Sequence, residues 1–184
     1  HTLAATQNIM KNNRDPVDYL DLSVEHFRVI ADWYHYAILE LTKTKGFQSN
    51  CRYISKKLGI YYAKAKDAVE RLQRLEFLGE DKKGAWIDRS GCVTVVGHQT
   101  TNAAFRKMQK QILEQALRAL EDVPFEKRNQ TSMTMAISKK MLPKAIEEMK
   151  KFRRNLCDLL QSDQNLDEVY QLSVSLFPVT IDKN

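Results

Sequence analysis

A chain of 184 residues, 43% hydrophobic and 28% charged, can bury one good core or two small ones, and two packed units are expected. The formal charge of +6 permits a polyanionic partner without requiring one, no apolar run approaches the ~18 residues of a membrane span, and no signal peptide opens the chain. Cys51, Cys92 and Cys157 are odd in number and contain no C-x-x-C pair, which argues against a disulfide framework or zinc site and for reduced thiols in the cytoplasm.

Charge is unevenly spread. His1 to Thr42 carries three basic against six acidic residues, Lys43 to Ser90 twelve against six, and the remainder fourteen against eleven. The positive balance is therefore concentrated in the middle. The first residue, His1, leads us to expect a region upstream, and residues 1–22, with Asn8, Asn12, Asn13, Asp15 and Pro16, read as a connector. Ser23 is a good N-cap for a helix whose stripe Phe27, Ile30, Tyr34, Ala37, Ile38 and Leu41 runs to Gly46. A shorter helix is predicted from Ser49 to Leu58, with Ser49 as its cap and Gly59 as its stop. Tyr61 to Phe77 places Ala65, Ala68, Val69, Leu72 and Leu75 on one face of a third helix. Phe77 to Glu80, a polar turn ending in Gly84, and Ala85 to Asp88 form a small β-hairpin.

After a turn region at Gly91 to Gly97, Thr101 to Leu120 reads as a helix ended by Pro124. Met133, Met135 and Ile137 alternate with polar or small neighbours, as in a half-buried strand. Ser138 is placed to cap a long helix through Leu160, and Tyr170, Leu172, Val174 and Leu176 alternate in a second strand. The expected fold class is α+β and helix-rich: a winged helix-turn-helix over 23–90, followed by a small αβαβ unit over 91–184. Two strands alone are a poor sheet, so the remaining strands are expected from a second copy of the chain in a homodimer.

Helix, short helix, Gly59 turn, helix and hairpin is the winged helix-turn-helix order. Tyr53-Ile54-Ser55-Lys56-Lys57-Leu58-Gly59-Ile60, with Ala65, Ala68-Val69, Glu70-Arg71-Leu72 and Phe77-Leu78, resembles that segment of MarR-like regulators over about forty residues. Asp32 to Leu41, Met133 to Ser138, Val169 to Leu172 and Leu176 to Pro178 resemble a bacterial family of predicted regulators whose carboxy-terminal half is a domain of unknown function. That resemblance implies transcriptional regulation and a further helix-turn-helix upstream. It supplies no ligand or catalytic residue.

On the third helix Lys64 and Lys66 are candidates for phosphates or guanine edges, and Tyr61 and Tyr62 for the DNA backbone, with Arg71 grouped beside them. Lys56 and Lys57, and Lys82 and Lys83 at the hairpin tip, suit phosphate contact. Asp67 and Glu70 oppose this, since phosphates would repel them, and the competing reading of the lysines is a solvated surface. Glu76 stands where winged helices usually place Gly. Trp33 to Tyr36 surround a helical turn with aromatics, as at an interface between the two units, and His35 reads as a core or surface histidine rather than half of a catalytic pair with Asp32. Lys150-Lys151-Phe152-Arg153-Arg154 fits an ordinary amphipathic helix. No enzyme motif is present, and neither a metal nor a cofactor is expected. The expected partners are double-stranded DNA, a second copy and an unidentified effector. The alternative is an interaction or effector-sensing module of a regulator whose DNA-binding domain lies upstream.

Overall fold

The computed structural model describes residues 16–90 and 99–180, with side chains described over 24–90 and 103–180. The connector before residue 16, the Gly91 to Gly97 turn and Cys92 lie outside the described residues. Six helices and one two-stranded antiparallel sheet make a helix-rich α+β chain among those residues.

The first long stripe forms two helices rather than one. α1 spans Pro16–Ala31 and α2 spans Tyr34–Leu41. Pro16 heads α1, where a missing N–H costs nothing, so residues 16–22 are helical and Ser23 lies inside the helix rather than capping it. The break at Asp32 and Trp33 contains neither Gly nor Pro. It is held from outside by α5, Gln99–Asp122: the Trp33 N–H donates to Gln111 Oε1 at 3.3 Å, Gln111 Nε2 donates to Asp32 Oδ1 at 2.9 Å, and Lys107 Nζ pairs with the same oxygen at 2.8 Å. Burial raises the Asp32 carboxyl, but the hydrogen bonds from Lys107 and Gln111 outweigh it and hold Asp32 below its ordinary value. The Trp33 N–H released by the break thus finds its partner on α5, which packs along α1.

α3 spans Cys51–Leu58 and α4 spans Tyr62–Arg74. Asn50, not Ser49, caps α3, its Oδ1 accepting from Tyr53 N–H at 2.8 Å. Ser49 Oγ instead accepts from Trp86 N–H at 2.8 Å. Gly59 ends α3 with φ +62°, and Ser55 Oγ donates to Ile60 O at 2.6 Å, so the turn into α4 is short and doubly tied. Ala65, Ala68, Val69 and Leu72 of α4 are buried against Ile38, Leu39 and Leu41 of α2 and Ile54 of α3. This is the main core.

α4 ends in a left-handed residue, Glu76 at φ +61°, with Phe77 N–H donating to Leu72 O at 2.9 Å. That is a Schellman-type stop with glutamate in the usual glycine position, at a backbone cost of about 1 kcal/mol. β1, Leu78–Glu80, then pairs with β2, Trp86–Asp88, in the register Leu78 to Asp88 and Glu80 to Trp86. Gly79 leaves room for Arg89 to lie across β1, since a Cβ there would run into the guanidinium.

The carboxy-terminal half departs from the αβαβ expectation. After a 3-10 turn at Phe125–Lys127, residues 128–138 contain neither helix nor strand. A second 3-10 turn, Lys139–Met141, leads into α6, Leu142–Gln161, so the helix starts three residues later than Ser138 would have placed it. Residues 163–180 are likewise without regular structure, so the sequence alternation at 131–138 and 169–179 does not become β-sheet within this chain. The physical reason is the one that makes isolated strands unstable: among the described residues neither segment has a neighbouring strand to receive its backbone hydrogen bonds.

Candidate nucleic-acid interface

α4 is divided lengthwise. Its inner side is the core stripe just described, while Tyr61, Tyr62, Lys64, Lys66, Asp67, Glu70, Gln73 and Arg74 are exposed. Tyr61 at the helix start is 84% exposed, an uncommon position for a large aromatic with no ligand. Lys64 Nζ sits 5.6 Å from the Tyr34 ring centroid, and Lys66 reaches Glu70 at 3.7 Å. Both ammonium groups remain at the surface, since exposed contacts of this kind are weak and easily exchanged.

Two further lysine pairs flank the helix in sequence. Lys56 and Lys57 are exposed in the last turn of α3, with Lys57 Nζ 5.8 Å from the Tyr53 ring centroid. Lys82 and Lys83 form the hairpin tip, which is shaped by Asp81: its Oδ1 accepts from the Lys83 N–H at 2.8 Å and the Ala85 N–H at 2.9 Å. Those bonds hold the Asp81 carboxyl below its ordinary value. The hairpin is held to the helices at both ends of β2, near the turn by Ser49 to Trp86 and at the base by Lys43 Nζ to Asp88 Oδ2 at 3.2 Å.

Arg71 is placed differently from the other candidates. Its side chain turns inward, with Nε 2.9 Å from Glu25 Oε2 and Nη1 3.1 Å from His35 Nε2. Arg74 reaches the same Glu25 oxygen at 3.1 Å and Arg28 reaches Oε1 at 3.3 Å, so one α1 carboxylate gathers three guanidinium groups. An arginine has no acceptor, so His35 Nε2 must be the unprotonated nitrogen and Nδ1 must donate to Asp32 O at 3.1 Å. Burial, reinforced by the Arg71 charge and opposed by the bond to the Asp32 carbonyl, leaves the His35 imidazole at about 4, hence neutral at physiological pH. His35 is therefore a buried structural histidine. Arg71 orients α4 against α1 and α2 rather than facing outward. Glu25 was not legible as its partner, because 46 positions separate them.

The profile of the family described as Domain of unknown function (DUF4423) matches residues 19–179. The chain belongs to the DUF4423 family. The match runs from α1 through the extended carboxy-terminal segment, so this DUF4423 chain carries both the helical core and the open half within one family unit. Searches of curated proteins and of solved structures gave no match. Among the described residues no helix is long and apolar enough to cross a membrane.

Proposed function

We propose that residues 23–90 form a winged helix-turn-helix that binds double-stranded DNA within a regulator of transcription. α4 is the groove-entering helix, and the Lys82 and Lys83 hairpin tip lies on phosphate. The observation that carries this reading is the open outer side of α4: Tyr61, Tyr62, Lys64 and Lys66 stand in solvent while the opposite side is locked into the core. The Gly59 turn sets the approach of α3 to α4, and the Glu25 to Arg71 pair fixes the tilt of α4, so the exposed side is presented on a rigid support.

The test is a fluorescence-anisotropy titration with duplex DNA at two salt concentrations. Replacing Lys64 and Lys66 with Ala should weaken binding and flatten the plot of log affinity against log salt by roughly 0.9 for each phosphate no longer neutralised. Unchanged affinity and slope would remove α4 from the interface. A second reading is favoured by Asp67 and Glu70, which share the outer side of α4. In that reading the surface receives another protein, and DNA contact is made elsewhere in the regulator. Absence of any salt-dependent DNA binding by the chain supports it.

A further inference from the structure

The carboxy-terminal half holds apolar surface on a scale that solvent does not tolerate. α6 carries Leu142, Ile146, Phe152 and Leu159 along its length, all exposed, and among the described residues no other helix packs along it. α5 turns Leu113, Leu117 and Leu120 to solvent on a single face, at spacings of four and three residues. In the extended segments Met133, Met135 and Ile137, and later Leu172, Val174 and Leu176, alternate and are likewise exposed. Among the described residues, 131–137 and 167–180 make no backbone-to-backbone hydrogen bond.

The area involved can be sized. The chain exposes 15347 Å², whereas a compact monomer of 21.4 kDa exposes about 9,100 Å². Taking the 27 residues outside the described ranges at full extended-chain area and the rest as compact still leaves an excess of about 2,700 Å². A standard interface takes about 800 Å² from each partner, so an excess of this size belongs to the large class that includes obligate homodimers.

We infer that this surface is the interface of a homodimer, with α6 of each protomer laid on the Leu113, Leu117 and Leu120 face of its partner's α5 and the extended segments paired as strands across the two-fold axis. Each unsatisfied element has its complement in the same sequence: an apolar helix stripe and an apolar helix face, and two alternating segments without backbone-to-backbone hydrogen bonds among the described residues. A two-fold axis satisfies all of them twice, which is what an isologous contact does. The inference stands whether or not α4 reads DNA.

Sedimentation equilibrium of the 184-residue chain at micromolar concentration tests it, with a mass of twice 21.4 kDa expected. Leu117→Lys and Phe152→Lys, at positions 67% and 52% exposed in the single chain, should each raise the dimer dissociation constant on the order of 100-fold. Both tryptophans, Trp33 and Trp86, lie in the first half, so their emission should be unchanged in these variants. A wild-type monomer overturns the inference, whether its radius of gyration is near the roughly 16 Å of a compact chain, meaning that the chain covers its own surface, or larger, meaning that another partner does. Variants that stay dimeric, or that lose the wild-type tryptophan emission, overturn it as well.

Discussion

In residues 34–90 every apolar stripe meets another, with α4 pressing Ala65, Val69 and Leu72 onto α2 and α3 and β2 tied at its two ends by Ser49 and Lys43. In residues 128–180 the stripes are equally regular in sequence, yet most of their large apolar side chains stay exposed, and Val169 alone among them packs against the main core. The difference lies in what amphipathic patterning specifies. It says that a face must be covered and leaves open which molecule covers it. The first region finds its cover within a few tens of residues, and the second is left with a surplus that a second copy would absorb.

The contrast can be broken most directly by truncation in each half. Leu72 is fully buried, and Leu72→Ala should cost about 2–5 kcal/mol in urea unfolding. Leu159, 68% exposed, should cost no more than about 0.5 kcal/mol as Leu159→Ala when measured at dilutions where chains are apart. Equal losses would show that the second half has a core of its own.

The Glu25, Arg71 and His35 cluster allows a sharper test, through pH. Unfolded His35 titrates near 6.5 and folded His35 at about 4. The unfolded state therefore takes up the proton first, and His35's contribution is complete above pH 6.5 and falls away as pH drops toward 4. The loss should be on the order of 3 kcal/mol, read as a fall in urea midpoint between pH 7 and pH 4.5 by tryptophan emission. His35→Gln, less stable overall, should lose this slope. Asp32 and Asp88, both held below their ordinary values, act only at lower pH and leave that window clear.

The smallest effect is expected at the end of α4. Glu76→Gly relieves a left-handed backbone and should raise stability by roughly 0.5 kcal/mol, the steric gain being partly offset by unfolded-chain entropy. A loss of stability would mean that the Glu76 side chain makes a contact worth more than its strain.

Much of the first region was legible in the sequence. Gly59 and Gly84 mark turns that both require positive φ, the stripe from Ala65 to Leu72 marks the buried side of α4, and Glu76 was legible as a residue in a glycine's place. These are local facts, set by backbone sterics and a period of 3.6 residues. The break at Asp32 and Trp33 was not legible. Its residues are ordinary helix formers or neutral, and the chain bends there where Gln111, nearly eighty positions away, accepts from the Trp33 N–H and, with Lys107, holds the Asp32 carboxylate.

By itself, the sequence determined the two helices and the hairpin of residues 49–90, because those elements satisfy their own backbone groups or close through short turns. Only the tertiary structure decided that Arg71 belongs to Glu25 rather than to an outward face, since an ion pair across 46 positions leaves no periodic trace. It also decided that the alternating segments at 131–138 and 169–179 remain extended without becoming sheet. A strand exists only where a neighbour accepts its hydrogen bonds, and no run of side chains specifies where that neighbour comes from.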